Sequence, residues 1–174
     1  MQFIKSLESY SEKLFQKPII LLGIIIVIGI IFRVYFTNWD IPPFAPDAFV
    51  FLIEGTSFSN GDFSYFSNRF LWPMFISFFF IFFHFDNNLD YFNLMRILTI
   101  IISIASVPII YFISKNYVDK KYAIIASMFF AVEPNIIENS LFLITEPLFI
   151  LCGLLSFYFL IQKNNKLILL AFIF

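Results

Sequence analysis

The stretch PIILLGIIIVIGIIFRVYF, residues 18–36, decides the fold class. Its 19 residues at ~1.5 Å rise match the ~30 Å hydrocarbon core of a bilayer. The run exceeds the core of a cleaved signal and no small-residue cleavage pattern follows, so it reads as a retained membrane anchor. The remainder of the chain agrees. Of 174 residues, 60% are apolar, 22% aromatic and only 13% charged, and 28 are phenylalanine. A soluble globular domain carries roughly a quarter charged residues, and disordered chains are poor in aromatics, so both classes are excluded. Cys152 is the single cysteine, which excludes an internal disulfide and a cysteine-based metal site.

Outward from this anchor, apolar runs recur at 70–85, 94–113, 122–137, 141–161 and 167–174. The 122–137 run meets Pro134, and LILLAFIF at the end is too short to cross. That ending reads as the N-terminal piece of a longer protein. Whether 70–85 crosses is decided by the lysines and arginines. If it crosses, the inner side holds Lys5, Lys13, Lys17 and Arg96, four cations against seven. If it lies in the interface, Lys5, Lys13, Lys17, Lys115, Lys120, Lys121, Lys163 and Lys166 are inside, eight against three. The second arrangement is favoured. Residues 1–17 then form a cytoplasmic tail, and 37–93 one external loop carrying an interfacial helix at 70–85. The expected fold is all-α and polytopic, with about five transmembrane helices plus interfacial helices in the first external loop.

On this topology nine of the twelve carboxylates, Asp40, Asp47, Glu54, Asp62, Asp86, Asp90, Glu133, Glu138 and Glu146, lie outside. Carboxylates influence topology little, so their crowding asks for another cause, and a chemical site on the external face is one. The outer cations, Arg33, Arg69 and Arg96, are all arginine, the residue whose planar fork binds phosphate or carboxylate in a bidentate way. Arg33 and Arg96, near the outer ends of their spans, read either as snorkelling residues or as phosphate ligands. Glu146 lies six residues into the 141–161 run, ~9 Å along a helix, where a carboxylate faces a cavity or a partner. Asp47 follows the stiff Pro42-Pro43-Phe44-Ala45-Pro46 lead and is also placed to N-cap AFVFLIEGTSF. Glu54, two helical turns on, can share its face. His84 ends an apolar run as an interfacial residue, with no metal cluster around it.

The order of these features resembles the GT-C membrane glycosyltransferases, most closely the protein O-mannosyltransferase family and the bacterial transferases that move aminoarabinose to lipid A. The matching stretches are FRVYF (32–36), APDAFVF (45–51), RFLWPMF (69–75), LMRIL (94–98) and SLFLITEPLF (140–149). The resemblance implies that Asp47 is the base of the first external loop. It implies too that Arg33 and Arg96 lie near the lipid phosphate of the donor, and that Glu146 is the acid at the outer start of a later span. Glu54, Glu138, Glu146 and Arg69 are then candidates for lining the cavity, orienting an acceptor or holding a metal. Two departures bear on sugar and acceptor. Asp47-Ala48 stands where mannosyltransferases often have Asp-Glu, and Leu71-Trp72-Pro73-Met74 where they have His-Pro-Pro-Leu.

The implied partners are a polyprenyl-phosphate sugar, a protein or lipid hydroxyl and the membrane lipids, with no nucleic acid. The implied reaction inverts the anomeric carbon. A lipid-linked donor accounts for the absence of a Gly-rich nucleotide loop. A divalent cation, Mg or Mn, would find hard oxygen ligands at Asp47 or Glu146, although nothing in the sequence requires one. The rival class is a transporter or flippase for a polar lipid, which would place polar residues at mid-membrane. Here the charges gather at the external ends of the spans instead.

Overall fold

The computed structural model describes residues 17–64 and 69–162. The expected tail up to residue 16, Lys163, Lys166 and the final 167–174 run lie outside the described residues. Seven helices and no strand occur among the described residues.

Helix α1 (Pro18–Phe36) begins with proline in its first turn, where the missing N–H costs nothing. It coincides with the run read from the sequence. Only Leu22, Ile25, Gly29 and Arg33 are buried, a single stripe at helical spacing. Its other faces expose Ile20, Ile24, Val27 and Ile31, so the helix is apolar all round, as lipid demands and water does not.

Helix α2 (Pro46–Ser59) and helix α3 (Leu71–Phe82) pack on each other within the 37–93 segment. Ala48, Phe51 and Leu52 meet Trp72, Ile76 and Phe80, and the cluster closes on Phe92, Met95 and Leu98 of the next helix. Helix α2 ends at Gly61, whose φ of 80° suits a residue without a Cβ. Asp62 Oδ1 then accepts from the Ser64 amide at 2.9 Å. That bond holds the Asp62 carboxyl below its usual range.

Helix α4 (Asn88–Ser114) is the central post, packed on α1 and on the three helices that follow it. It starts six residues before the 94–113 run. The polar Asn87 caps it by accepting from the Leu89 amide at 3.0 Å, and Asp90 sits in its first turn, so capping rather than hydropathy sets the boundary. Its 27 residues make it ~40 Å long.

The 122–137 run divides into two helices, α5 (Lys120–Val132) and α6 (Pro134–Leu141). A residue preceding proline avoids the helical region, and Glu133 is extended at ψ 123°. Its carboxylate caps α6 by accepting from the Ile136 amide at 2.7 Å. Helix α7 (Glu146–Ile161) starts later than the 141–161 run, because 141 still belongs to α6. The chain turns between them at Leu143, buried and left-handed with φ 60°. This is the position where a glycine commonly ends a helix.

By length and composition α1 and α4 suffice to cross a membrane unbroken. Two further expected spans, 122–137 and 141–161, are covered by the shorter pieces α5 with α6, and α7, and the last, 167–174, lies outside the described residues.

Candidate functional site

A cleft of about 560 Å³ opens at the C-terminal end of α1. Phe32 and Phe36 form one wall, the connection through Ile41, Pro42 and Phe44 a second, and Val132, Pro134, Ile137 and Leu141 a third. Its charged groups are Arg96 of α4 and Glu138 of α6. The rigid Pro42-Pro43 pair and the broken α5–α6 connection are the features that keep this volume from filling with helix.

Arg96 is only 3% exposed. Nη1 donates to Asn93 Oδ1 at 2.6 Å and to Trp39 O at 3.4 Å, and Nη2 donates to Ile41 O at 2.6 Å. The residue therefore pins the 37–44 connection onto α4. A guanidinium carries five N–H donors, so Nε–H and one Nη2–H remain beside the cleft. Asn93, which orients it, is missing from the sequence reading although it lies at the i−3 position where helical side chains meet.

Arg33, expected near the donor phosphate, is not part of this cleft. It is 0% exposed. Nε and Nη2 both donate to Ser103 Oγ, at 3.1 and 3.0 Å, while Nη1 donates to Gly29 O at 3.1 Å and to Ala131 O at 2.9 Å. Four of its five donors end on protein oxygens of α1, α4 and α5. Neither snorkelling nor an anion is needed to account for it.

Asp47 and Arg69 come together as an ion pair with Nη1 2.5 Å from Oδ2, their side chains 52% and 62% exposed. Asp47 is not the N-cap of α2. Pro46 takes the first helical position, Ala45 becomes the cap, and Asp47 falls in the first turn, where a carboxylate complements the helix dipole. Glu54, on the same helix, is buried instead, so the two acids do not share an environment. Glu138 is exposed at the cleft.

Glu146 is exposed at the first position of α7. Glu146 is therefore not six residues deep in its helix as expected, because the helix starts at this residue and not five earlier. Thr145 Oγ1 donates weakly to its Oε2 at 3.4 Å. Among the described residues no three His, Cys, Asp or Glu side chains converge on one point.

Residues 59–170 match the family described as dolichyl-phosphate-mannose-protein mannosyltransferase. Arg69, Arg96, Glu138 and Glu146 fall inside the matched segment, and Arg33, Asp47 and Glu54 precede it. No curated protein and no solved structure matches the chain. With a match over more than half of its residues, and an all-helical fold built on two helices of membrane-crossing length, the chain belongs to the dolichyl-phosphate-mannose-protein mannosyltransferase family of integral-membrane GT-C glycosyltransferases.

Proposed function

We propose that this chain supplies the donor cleft and the base of an inverting glycosyltransferase. The enzyme moves a sugar from a polyprenyl phosphate to a protein or lipid hydroxyl at the extracytoplasmic face, with the N-terminus in the cytoplasm. The observation that carries the reading is the juxtaposition in one cleft of apolar and aromatic walls with a guanidinium that keeps two donors uncommitted. A prenyl chain fits the walls, and its phosphate fits the free edge of Arg96 in a charge-assisted contact.

Arg96 takes its role from that placement, whereas Asp47, which does not line the cleft, takes its role from the resemblance of the APDAFVF stretch. Asp47 takes the proton as the acceptor O–H bond breaks. The oxygen attacks the anomeric carbon, and the bond from that carbon to the phosphate oxygen breaks on the opposite face. The electron pair leaves with the phosphate, where Arg96 stabilises the growing charge. Arg69 holds the Asp47 carboxylate in one orientation until an acceptor approaches. Glu138 is a second base candidate on one specific ground, that it shares the cleft with Arg96.

The test is sugar transfer from a polyprenyl-phosphate donor by the intact protein in lipid. Asp47→Asn is expected to lower turnover by ~10²–10⁴-fold, the range that general-base help supplies, with expression unchanged. If Glu138→Gln produces that loss and Asp47→Asn does not, the base is Glu138. If neither variant matters, the proposed chemistry is wrong.

A further inference from the structure

The role of Arg33 begins with a missing amide. In a continuous helix the Ala131 carbonyl would accept from the N–H four residues on, or from the one three residues on at a tightened end. Three residues on stands Pro134, which has no N–H, and four on stands Asn135, already in the next helix. No backbone bond at the turns and caps ends on Ala131 O. Ala131 is fully buried, so water does not serve it either, and an unpaired buried carbonyl is costly. Arg33 Nη1 serves it at 2.9 Å, from another helix 98 residues away in sequence.

We infer that Arg33 is a positioning residue, a side-chain cap in trans for the C-terminus of α5, which fixes the α5–α6 elbow as one wall of the donor cleft. Three observations converge. The guanidinium sits where the carbonyl end of α5 concentrates negative potential, which favours a cation. It grips α4 at the same time through Ser103 Oγ, so one side chain bridges three helices. Gly29 adds a third anchor, accepting from Nη1 at its carbonyl at 3.1 Å, while a Cβ there would crowd Ile104 Cδ1 at 2.9 Å and meet Arg33 Nη1 and the Ala131 Cβ at the ordinary contact distances of 3.4 and 3.5 Å. The consequence reaches the cleft directly. Val132 and Pro134 follow the capped carbonyl by one and three residues and line the cleft, as does Phe32, the neighbour of Arg33 on α1. The cleft side of this inference rests on the donor reading above; the elbow side does not.

The experiment uses the intact protein in lipid nanodiscs, with Cys152→Ser as background and spin labels at Ile30 of α1 and Asn135 of the elbow. Arg33→Met is expected to shift or broaden the distance between the labels, and Arg96→Met to leave it unchanged. An unchanged distance in Arg33→Met overturns the inference. Binding is read in the same samples with two probes, a short polyprenyl phosphate and the matching polyprenol. Arg33→Met is expected to weaken both by a common factor of about ten, the scale of one charge-assisted hydrogen bond. A loss confined to the phosphate would make Arg33 an anion ligand and overturn the inference. If Arg96→Met fails to lose the phosphate selectively, the donor reading falls, while the label distances still decide what Arg33 does. Should Arg33→Met not fold, Arg33→Lys keeps the charge but lacks the fork that spans two acceptors. A displaced elbow is expected there too, and an undisplaced one overturns the inference equally.

Discussion

Arg33 and Arg96 enter the sequence in the same way, each an arginine near the end of an apolar run, yet the fold uses them oppositely. Around Arg33 the helices α1, α4 and α5 close completely, and its donors are divided among their oxygens. Around Arg96 the neighbours are a loop and its own helix, and part of the guanidinium edge stays open to a cleft. Burial does not distinguish them, since both are nearly inaccessible to water. What differs is the number of donors already committed, four against three. On the proposed function, the arginine whose donors are committed is architecture, and the one with donors in reserve beside the cleft binds the donor phosphate.

The largest effect that bears on this contrast is expected at Arg96. Arg96→Met should lower sugar transfer by ~10²–10³-fold, as loss of one donor aimed at developing charge does, a loss beyond what the destabilisation from releasing the Trp39 and Ile41 carbonyls explains. Initial-rate measurements against donor concentration check it, and a drop in stability with normal turnover would erase the distinction between the two arginines. Arg33→Met should show the reverse weighting. It leaves the Ala131 carbonyl and the Ser103 hydroxyl without their partner and is expected to cost about 1–3 kcal/mol, the penalty of a buried unsatisfied group. Denaturant or thermal unfolding in detergent reads it. A fully stable Arg33→Met protein would mean that the bridge between α1 and α5 is dispensable.

The contrast also explains what the sequence could and could not tell. The bounds of α1 and the all-α class were legible because they follow from hydropathy and length, which are local. Arg96 has one local partner, Asn93, three residues away, while its Trp39 and Ile41 acceptors, 57 and 55 residues away, were not legible. The partners of Arg33 were hidden in the same way, because beyond the local Gly29 carbonyl its acceptors are 70 and 98 residues away, and nothing near position 33 announces them. Proline displaced two further expectations. Pro46 moved the start of α2 so that Asp47 lost its place as cap, and Pro134 split the 122–137 run. Glu146 was misplaced in depth because Leu143, a residue that rarely adopts positive φ, breaks a stretch that is unbroken in hydropathy.

The smallest effect is expected at the third arginine, which sharpens the comparison by its exposure. Arg69 pairs with Asp47 in the open, both side chains more than half accessible, so water and salt screen the attraction. Such pairs contribute between nothing and ~1 kcal/mol. Arg69→Gln should therefore leave unfolding within ~1 kcal/mol of the parent, unlike Arg33→Met. Its effect on turnover should depend on ionic strength, because the charge it removes lies within a Debye length of ~10 Å at 0.1 M salt from the carboxylate proposed as base. At low salt the parent and Arg69→Gln should differ in their transfer rates. Above about 1 M, where the screening length falls to ~3 Å, the difference should shrink. A difference undiminished at high salt would show that Arg69 touches the acceptor or the donor directly. It would then belong with Arg96 as a binding arginine and no longer serve only to orient Asp47.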